Sequence, residues 1–407
     1  MYRVKNDSVW HSLRILFTGA LLIFLINIYF GFDNALTPAE EILPRWQALL
    51  HLHSGSVGWI TLAAIGIAIW VLTGEREVSA AYEKSTRRLV WAAVLVFAAY
   101  VPFFGLAFSR ANGMLVSLLP VLGSAAVIVL WWSAIYAFKQ LGEQTAVSTV
   151  HVLAAGALLV AAVGATVGAL LGMERVIGQF LPIENPDRVG VHAGMMDTYL
   201  FLIAAAIIEW FTTKNPTERI GKAGLVQAFA WTVGSVLVPI AFLTNTVEQI
   251  MPLFMLMLLV GIVIFFIRIG WKVIKLGPKA GVVQAWAFFG TIWLIAYMGL
   301  FLFAISVIGG GGTVADLPFW YRSVFAHVSY VGMMTGLILA VIIAFTWEKR
   351  GTVAWGDKVA LWLIHAGLVL FAVLKITADI RLGAIVMGVG VLVGVYTMLM
   401  RLRASET

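Results

Sequence analysis

Continuous apolar segments constrain the fold of this chain more than any other feature of its sequence. There are twelve of them, each of roughly 18 to 26 residues, close to the ~20 that a helix needs to cross a bilayer. They lie at approximately 15–32, 49–73, 89–108, 113–138, 147–172, 189–211, 223–244, 250–267, 281–306, 323–346, 359–376 and 382–400. Strands of a membrane barrel alternate with period two, and these segments do not. The sequence therefore predicts an all-α polytopic membrane protein with twelve transmembrane helices.

Composition narrows the classes of partner and cofactor. Hydrophobic residues make up 61% of the chain and charged residues 12%, which excludes an ordinary soluble protein and makes membrane lipid the expected surroundings. The net charge of +7 comes from basic residues in short loops between spans, so we expect no nucleic-acid partner. Cysteine is absent, which excludes thiolate metal ligands.

The basic residues also predict an orientation. Most of the 27 lysines and arginines fall in alternate loops on the side that both termini share. The seven on the opposite side are Arg45, Arg110, Arg175, Arg188, Arg322, Lys375 and Arg381. By the positive-inside rule, we expect both termini to be cytoplasmic. The redox function suggested below would place the protein in the cytoplasmic (inner) membrane.

Histidines recur every fourth span. His51 and His53 open span two, His192 opens span six and His327 opens span ten, all from the outer side. An arginine precedes each of these sites, at Arg45, Arg188 and Arg322. The recurrence predicts three pseudo-repeated four-helix units, at about 10–140, 145–280 and 281–403, within one transmembrane domain, 1–407.

Histidines at matching depth on three helices indicate a shared metal or cofactor site. A single membrane-buried histidine is as readily explained by a hydrogen bond between helices. Neutral imidazole suits iron and copper, and without thiolates it is the expected axial ligand of a haem. We predict that haem, of b type, is the cofactor and that His53, His192 and His327 are metal ligands. Whether copper also binds is left open.

His51 and His53 cannot both face one iron. Residues two apart on a helix point about 200° apart. Either each histidine serves a separate haem, or one ligates while the other forms a hydrogen bond. We favour the second alternative, with His53 as the ligand and His51 beside the cofactor.

Other polar groups fit a haem site. Arg45, Arg188 and Arg322 are placed to bind haem propionates, although arginines also anchor helices at membrane surfaces. Asp197 is a candidate proton relay or metal ligand, or else a protonated side chain bonded to a neighbouring helix. Tyr330 is a candidate donor to a bound ligand, or else an amphipathic core residue. Asp197 and Tyr330 are therefore the candidate catalytic residues.

The twelve spans, and the histidines that open spans two, six and ten, resemble the catalytic subunit of the haem-copper oxygen reductases and the related nitric oxide reductases. The string HLHSGSVGW, residues 51–59, is similar to the His-x-His-Ser-Gly-Ala-Leu-Gly-Trp string of the C-family oxidases, where it lies on span ten. By position, the resemblance implies that His53 ligates a low-spin haem, His327 a high-spin haem and His192 copper.

Two departures from the family concern the metals. Ser329 stands where span ten of the family has its second histidine. Span seven, VQAFAWTVGSVLVPIAF, lacks the histidine pair that binds copper in the family. The resemblance therefore implies a divergent, simplified relative without the usual copper site.

The function implied is that of a membrane redox protein that accepts electrons from a quinol or a small external carrier, with additional subunits among its partners. Whether it reduces oxygen or nitric oxide, or only binds a gas, stays open. An alternative is a proton-coupled transporter that uses the intramembrane histidines and Asp197, although carriers usually show broken helices and polar midplane residues. A third is a structural membrane protein whose histidines only hold helices together.

Overall fold

The computed structural model describes residues 7–37, 44–74, 77–109, 113–181, 187–213, 215–244, 246–309, 316–349, 351–377 and 379–404. All regular secondary structure in these ranges is helical. Lipid offers no hydrogen-bond partner to the backbone, so a spanning segment must satisfy its own N–H and C=O groups. The prediction of an all-α polytopic membrane protein is confirmed.

Twelve long helices follow one another along the described residues. Their bounds are Asp7–Leu36 (α1), Arg45–His53 with Ser54–Thr61 and Leu62–Thr73 (α2), Ala80–Ser109 (α3), Gly113–Gly142 (α4), Thr149–Ile177 (α5), Asp187–Thr212 (α6), Lys222–Leu243 (α7), Val247–Phe265 with Phe266–Gly270 and Trp271–Leu276 (α8), Val282–Gly309 (α9), Tyr321–His327 with Val328–Thr335 and Gly336–Phe345 (α10), Trp355–Thr377 (α11) and Arg381–Ala404 (α12). Within the described ranges, eleven are long and apolar enough to cross a membrane, and α6 contributes the shorter apolar segment Thr198–Thr212.

The helices are arranged as an outer ring around a central group. Each outer helix contacts the next one along the chain, in the order α1, α3, α4, α5, α7, α8, α9, α11 and α12, and α12 contacts α1. These nine helices close a ring in chain order. The other three, α2, α6 and α10, lie inside it.

Among the eleven described helices that are long and apolar enough to span a membrane, α2 and α10 are the most buried. In α2, 83% of the most apolar window is buried inside the protein, and in α10 the share is 89%, against 22% in α4 and α8. The outer helices instead expose large aliphatic side chains such as Leu95, Ile128 and Ile267, as expected of a surface that faces lipid.

Side-chain hydrogen bonds join the central helices. The indole Nε1 of Trp59 in α2 donates to Oγ1 of Thr335 in α10 at 3.0 Å. The hydroxyl groups of Thr61 in α2 and Tyr199 in α6 form a hydrogen bond, with the two oxygen atoms 3.0 Å apart. Helices α6 and α10 contact each other as well. The three helices that the histidine pattern singled out therefore meet at the centre of the protein.

Helices α2 and α10 each contain a π-helical segment that begins immediately after a histidine. Ser54–Thr61 follows His53, and Val328–Thr335 follows His327. In both segments the last threonine donates its hydroxyl hydrogen to the carbonyl five residues earlier, at 2.8 Å. Local π-helices are uncommon and occur frequently at functional sites.

Two ion pairs lie at the opposite end of the bundle. Arg268 of α8 donates to Glu209 of α6 at 2.6 Å, and also to Gln227 at 2.7 Å. Arg401 of α12 pairs with Asp357 of α11, and both side chains are completely buried. Each pair joins two helices at their ends away from the histidines.

Glycines allow α11 and α12 to pack backbone to backbone. A Cβ atom on Gly383 would lie 2.3 Å from the backbone nitrogen of Phe371, which cannot move without its helix. We expect Gly383→Ala to lower the free energy of unfolding by about 1–3 kcal/mol, as overpacking does. Thermal unfolding in detergent measures the loss. Gly299→Ala is the matched control, because nothing lies within 4 Å of the added methyl group. Equal stabilities of the two variants would contradict the prediction.

Candidate cofactor site

Four histidines occupy one end of the central helices, called here the histidine end: His51 and His53 of α2, His192 of α6 and His327 of α10. Each lies within the first ten residues of its helix. Each also lies seven or eight residues before one of the hydrogen-bonded side chains that join the central helices, a rise of about 11 Å. The four imidazoles are therefore at a similar depth.

Each of the four imidazole rings is held in place through its Nδ1 atom. In each, Nδ1 lies 2.7–2.9 Å from a backbone carbonyl oxygen, which can only accept a hydrogen bond, so Nδ1 carries the proton. The acceptors are the carbonyls of Asn27 for His51, Leu49 for His53, Gly164 for His192 and Ser323 for His327.

The consequence is that Nε2 keeps its lone pair in all four rings. No hydrogen bond to any of these Nε2 atoms is present in the part of the chain that the structure describes. A backbone carbonyl on one ring nitrogen is the usual way in which proteins fix a histidine that binds metal through the other.

His51 and His327 form the first pair, at the interface of α2 and α10. Their ring centres are 6.4 Å apart and their planes are inclined by 29°. Both line a cavity of about 350 Å³, within the usual range for small-molecule sites. Two metal–imidazole bonds of about 2 Å each, with a ring radius on either side, separate ring centres by about 6 Å. The pair therefore fits two-sided axial ligation of one metal.

Close packing fixes both rings of this pair. A Cβ on Gly31 of α1 would lie 3.0 Å from Cε1 of His51. The side-chain amide of Asn27 also donates to the backbone carbonyl of His51. On the other side, the Phe371 ring lies 4.4 Å from that of His327, centre to centre. These contacts leave each imidazole little freedom to turn.

His53 and His192 occupy the interface of α2 and α6. His53 stacks on Phe104, with ring centres 3.9 Å apart and planes inclined by 25°. Its helix is joined to that of His192 by the hydrogen bond between Thr61 and Tyr199, about two turns further along both helices. His51 is therefore the ring of α2 that lies opposite His327 of α10, whereas His53 is on the side of α2 that faces α6.

The remaining predicted site residues divide into three groups. Tyr330 lies in the π-helical segment of α10 and lines the cavity beside His51 and His327. Arg322 is exposed at the histidine end. The side chains of Arg45, Arg188 and Asp197 lie outside the part that the structure describes, so the propionate and proton-relay predictions for them stay predictions.

His365 of α11, which is more deeply buried than the four histidines of the histidine end, has a different environment. Its Nδ1 accepts a hydrogen bond from the indole Nε1 of Trp293 in α9, at 2.9 Å. The ring also stacks on Phe289, with centres 4.4 Å apart. With Nδ1 as acceptor, Nε2 carries the proton, so this ring holds two helices together and does not offer a free lone pair inside the protein.

Four contributors to the site were missed by the sequence reasoning. Asn27 and Gly31 of α1 hold His51, Gly168 of α5 lies against the ring of His192, and Lys375 is close enough to His327 for its charge to act on the ring. Glycines and an amide in apolar helices are common, and only their contacts with histidines far away in sequence distinguish them.

The donor set suits a metal that needs two protein ligands. Among the residues described, no three His, Asp or Glu side chains converge as a metal-binding group. Haem iron takes four ligands from its macrocycle and needs at most two from the protein. The prediction of copper depends on a further ligand such as Asp197.

Comparison of the chain with models of protein families and with curated proteins finds no match. The resemblance to the haem-copper and nitric oxide reductases therefore stays a prediction.

Proposed function

We propose that this chain is a membrane haem-binding redox protein that transfers electrons, with one b-type haem held between His51 and His327. The observation that carries the proposal is the arrangement of this pair. Two partly buried imidazoles on different helices have their Nδ1 atoms bonded to the backbone and their ring centres 6.4 Å apart beside a shared cavity. Haem bound on both faces by imidazole exchanges single electrons between its ferric and ferrous states.

The chain's own residues have distinct tasks in this proposal. Nε2 of His51 and Nε2 of His327 would hold the haem iron. Tyr330 and Trp59 line the cavity and exclude water from it. Lys375 offers a positive charge near His327, and Arg322 offers another at the histidine end for propionates to pair with.

The membrane setting follows from the sequence predictions. With both termini in the cytoplasm of a cytoplasmic membrane, the histidine end faces outwards. Electrons from a quinol or a small external carrier then reach the site within the outer third of the bilayer. The proposal includes additional subunits as partners. It also includes three pseudo-repeated four-helix units, each of which contributes one of the three central helices.

A metal held by two histidines would differ from the gas-binding centre of the reductases that the sequence resembles. A centre that reduces oxygen or nitric oxide needs an open position on its metal, where the gas binds. In the first pair both axial positions are taken by histidine, which favours electron transfer over gas chemistry at this site. Asp197 stays a candidate proton relay, and Tyr330 stays a candidate hydrogen-bond donor to a bound ligand.

The experiment is a set of absorption spectra of the protein purified in mild detergent, with iron, copper and haem measured per chain. We expect sharp reduced-minus-oxidised bands typical of low-spin haem b and no change on adding carbon monoxide. Haem with a large carbon monoxide shift would instead indicate an open iron. Absence of haem after expression with a haem supply would overturn the proposal and leave the transporter as the leading function.

A further inference from the structure

The histidine pair between α2 and α6 repeats the arrangement of the first pair. In each pair, one ring is bonded within its own helix, four residues back, and is followed by a π-helical segment. This is His53, bonded to Leu49, in the second pair, and His327, bonded to Ser323, in the first. The backbone angles of these two histidines are the same, with φ −73° and ψ −34°.

The other ring of each pair is bonded across to a neighbouring helix. His51 donates to the carbonyl of Asn27 in α1, and a glycine, Gly31, lies four residues further along that helix. His192 donates to the carbonyl of Gly164 in α5, again with a glycine, Gly168, four residues on. In both cases a glycine hydrogen takes the place that a side chain would need against the imidazole.

In both pairs, a hydrogen bond between side chains joins the two helices at about the same distance from the histidines. His51 and His327 lie eight residues before Trp59 and Thr335, which are hydrogen-bonded to each other. His53 and His192 lie eight and seven residues before Thr61 and Tyr199, which are likewise hydrogen-bonded to each other. Each pair is therefore about two helical turns from a polar link between its two helices.

The third interface of the central helices lacks this arrangement. The position in α10 that corresponds to His51 is Phe325, which packs against Tyr297 with ring centres 4.9 Å apart. The position in α6 that corresponds to His53 is Gly194. The two positions of a third pair thus hold a phenylalanine and a glycine in place of histidines, which distinguishes the two histidine interfaces as a matched set.

We propose that Nε2 of His53 and Nε2 of His192 are the axial ligands of a second haem. The inference rests on the proposed function, because it takes the ligand class from the first pair. It takes the alternative that the sequence analysis did not favour, with His51 and His53 at separate haems, and it assigns His192 to iron, where the resemblance implied copper.

The test compares haem content and electron paramagnetic resonance of the ferric protein in the wild type and in His192→Ala. We expect about two haems per chain in the wild type, two low-spin ferric signals and two steps in a redox titration. In His192→Ala we expect about one haem, with the signal of the His51–His327 site retained.

A glycine variant tests the same site without removing a ligand. A Cβ on Gly168 would lie 2.4 Å from Cε1 of His192, so Gly168→Ala must displace the ring, and it should weaken or remove the same signal. Gly172→Ala, one turn further along α5 with nothing within 4 Å of the new methyl group, should leave both signals intact.

The outcomes separate this inference from the proposed function. If the wild type binds one haem per chain and neither His192→Ala nor Gly168→Ala changes it, the second site is wrong and the His51–His327 site is retained. Copper in place of the second haem would also overturn it. No haem in the wild type would overturn the proposed function itself.

Discussion

Replacing His327 with Ala should halve the haem content of the purified protein, from about two per chain to about one. The substitution removes one of the two imidazoles that we propose as ligands, and no other described histidine lies opposite His51. Any haem retained at this site is then held by His51 alone and should bind carbon monoxide, which the wild type should not. Haem quantification and spectra with and without carbon monoxide measure both effects.

Two variants serve as controls for this loss. His51→Ala should have the same effect, because it removes the partner ligand of the same site. His365→Gln should leave the haem content unchanged, because His365 accepts a hydrogen bond from Trp293 and is placed between outer helices. Unchanged spectra in both His327→Ala and His51→Ala would exclude this pair as ligands.

Asp357→Ala should lower the free energy of unfolding by about 3–5 kcal/mol, the largest stability effect that we expect from one substitution. Asp357 and Arg401 are both completely buried, and the aspartate neutralises the arginine inside the protein. Removing the carboxylate leaves a guanidinium charge without its counter-ion in a medium that solvates it poorly. Denaturation in detergent, followed by circular dichroism, measures the change.

A double substitution distinguishes loss of charge balance from loss of packing. Asp357→Leu combined with Arg401→Met removes both charges and keeps much of the buried volume. We expect it to recover most of the stability that Asp357→Ala loses, because a buried ion pair replaced by apolar side chains is often neutral or stabilising. A double variant as unstable as the single one would show that the pair contributes through its geometry.

The helical architecture was predictable because lipid leaves few choices to the backbone. Unbroken apolar segments of spanning length can only be helices, and the positions of all twelve follow from hydropathy. Their arrangement was not predictable in the same way. That α2 and α10 are central depends on contacts such as Trp59 with Thr335, between residues 276 positions apart.

The site was predictable in its residue types but not in its pairing. The recurrence of histidine identified His51, His53, His192 and His327. Helix geometry showed that His51 and His53 face different neighbours, yet it did not say which. The choice depends on side-chain rotamers and on the glycines of α1 and α5, and these are properties of helix packing that a single sequence does not display.

The central position of α2 determines when the protein could acquire the proposed haem. Residues of α2 are translated early, but the partner that completes the first pair lies on α10, and Phe371 behind it lies on α11. Until those late helices have entered the bilayer, His51 has no opposite ligand and α2 lacks much of its protein surroundings. If the first pair holds haem as proposed, loading would have to follow synthesis of almost the whole chain, and a fragment released by a ribosome stalled before α10 would lack one of the two proposed ligands.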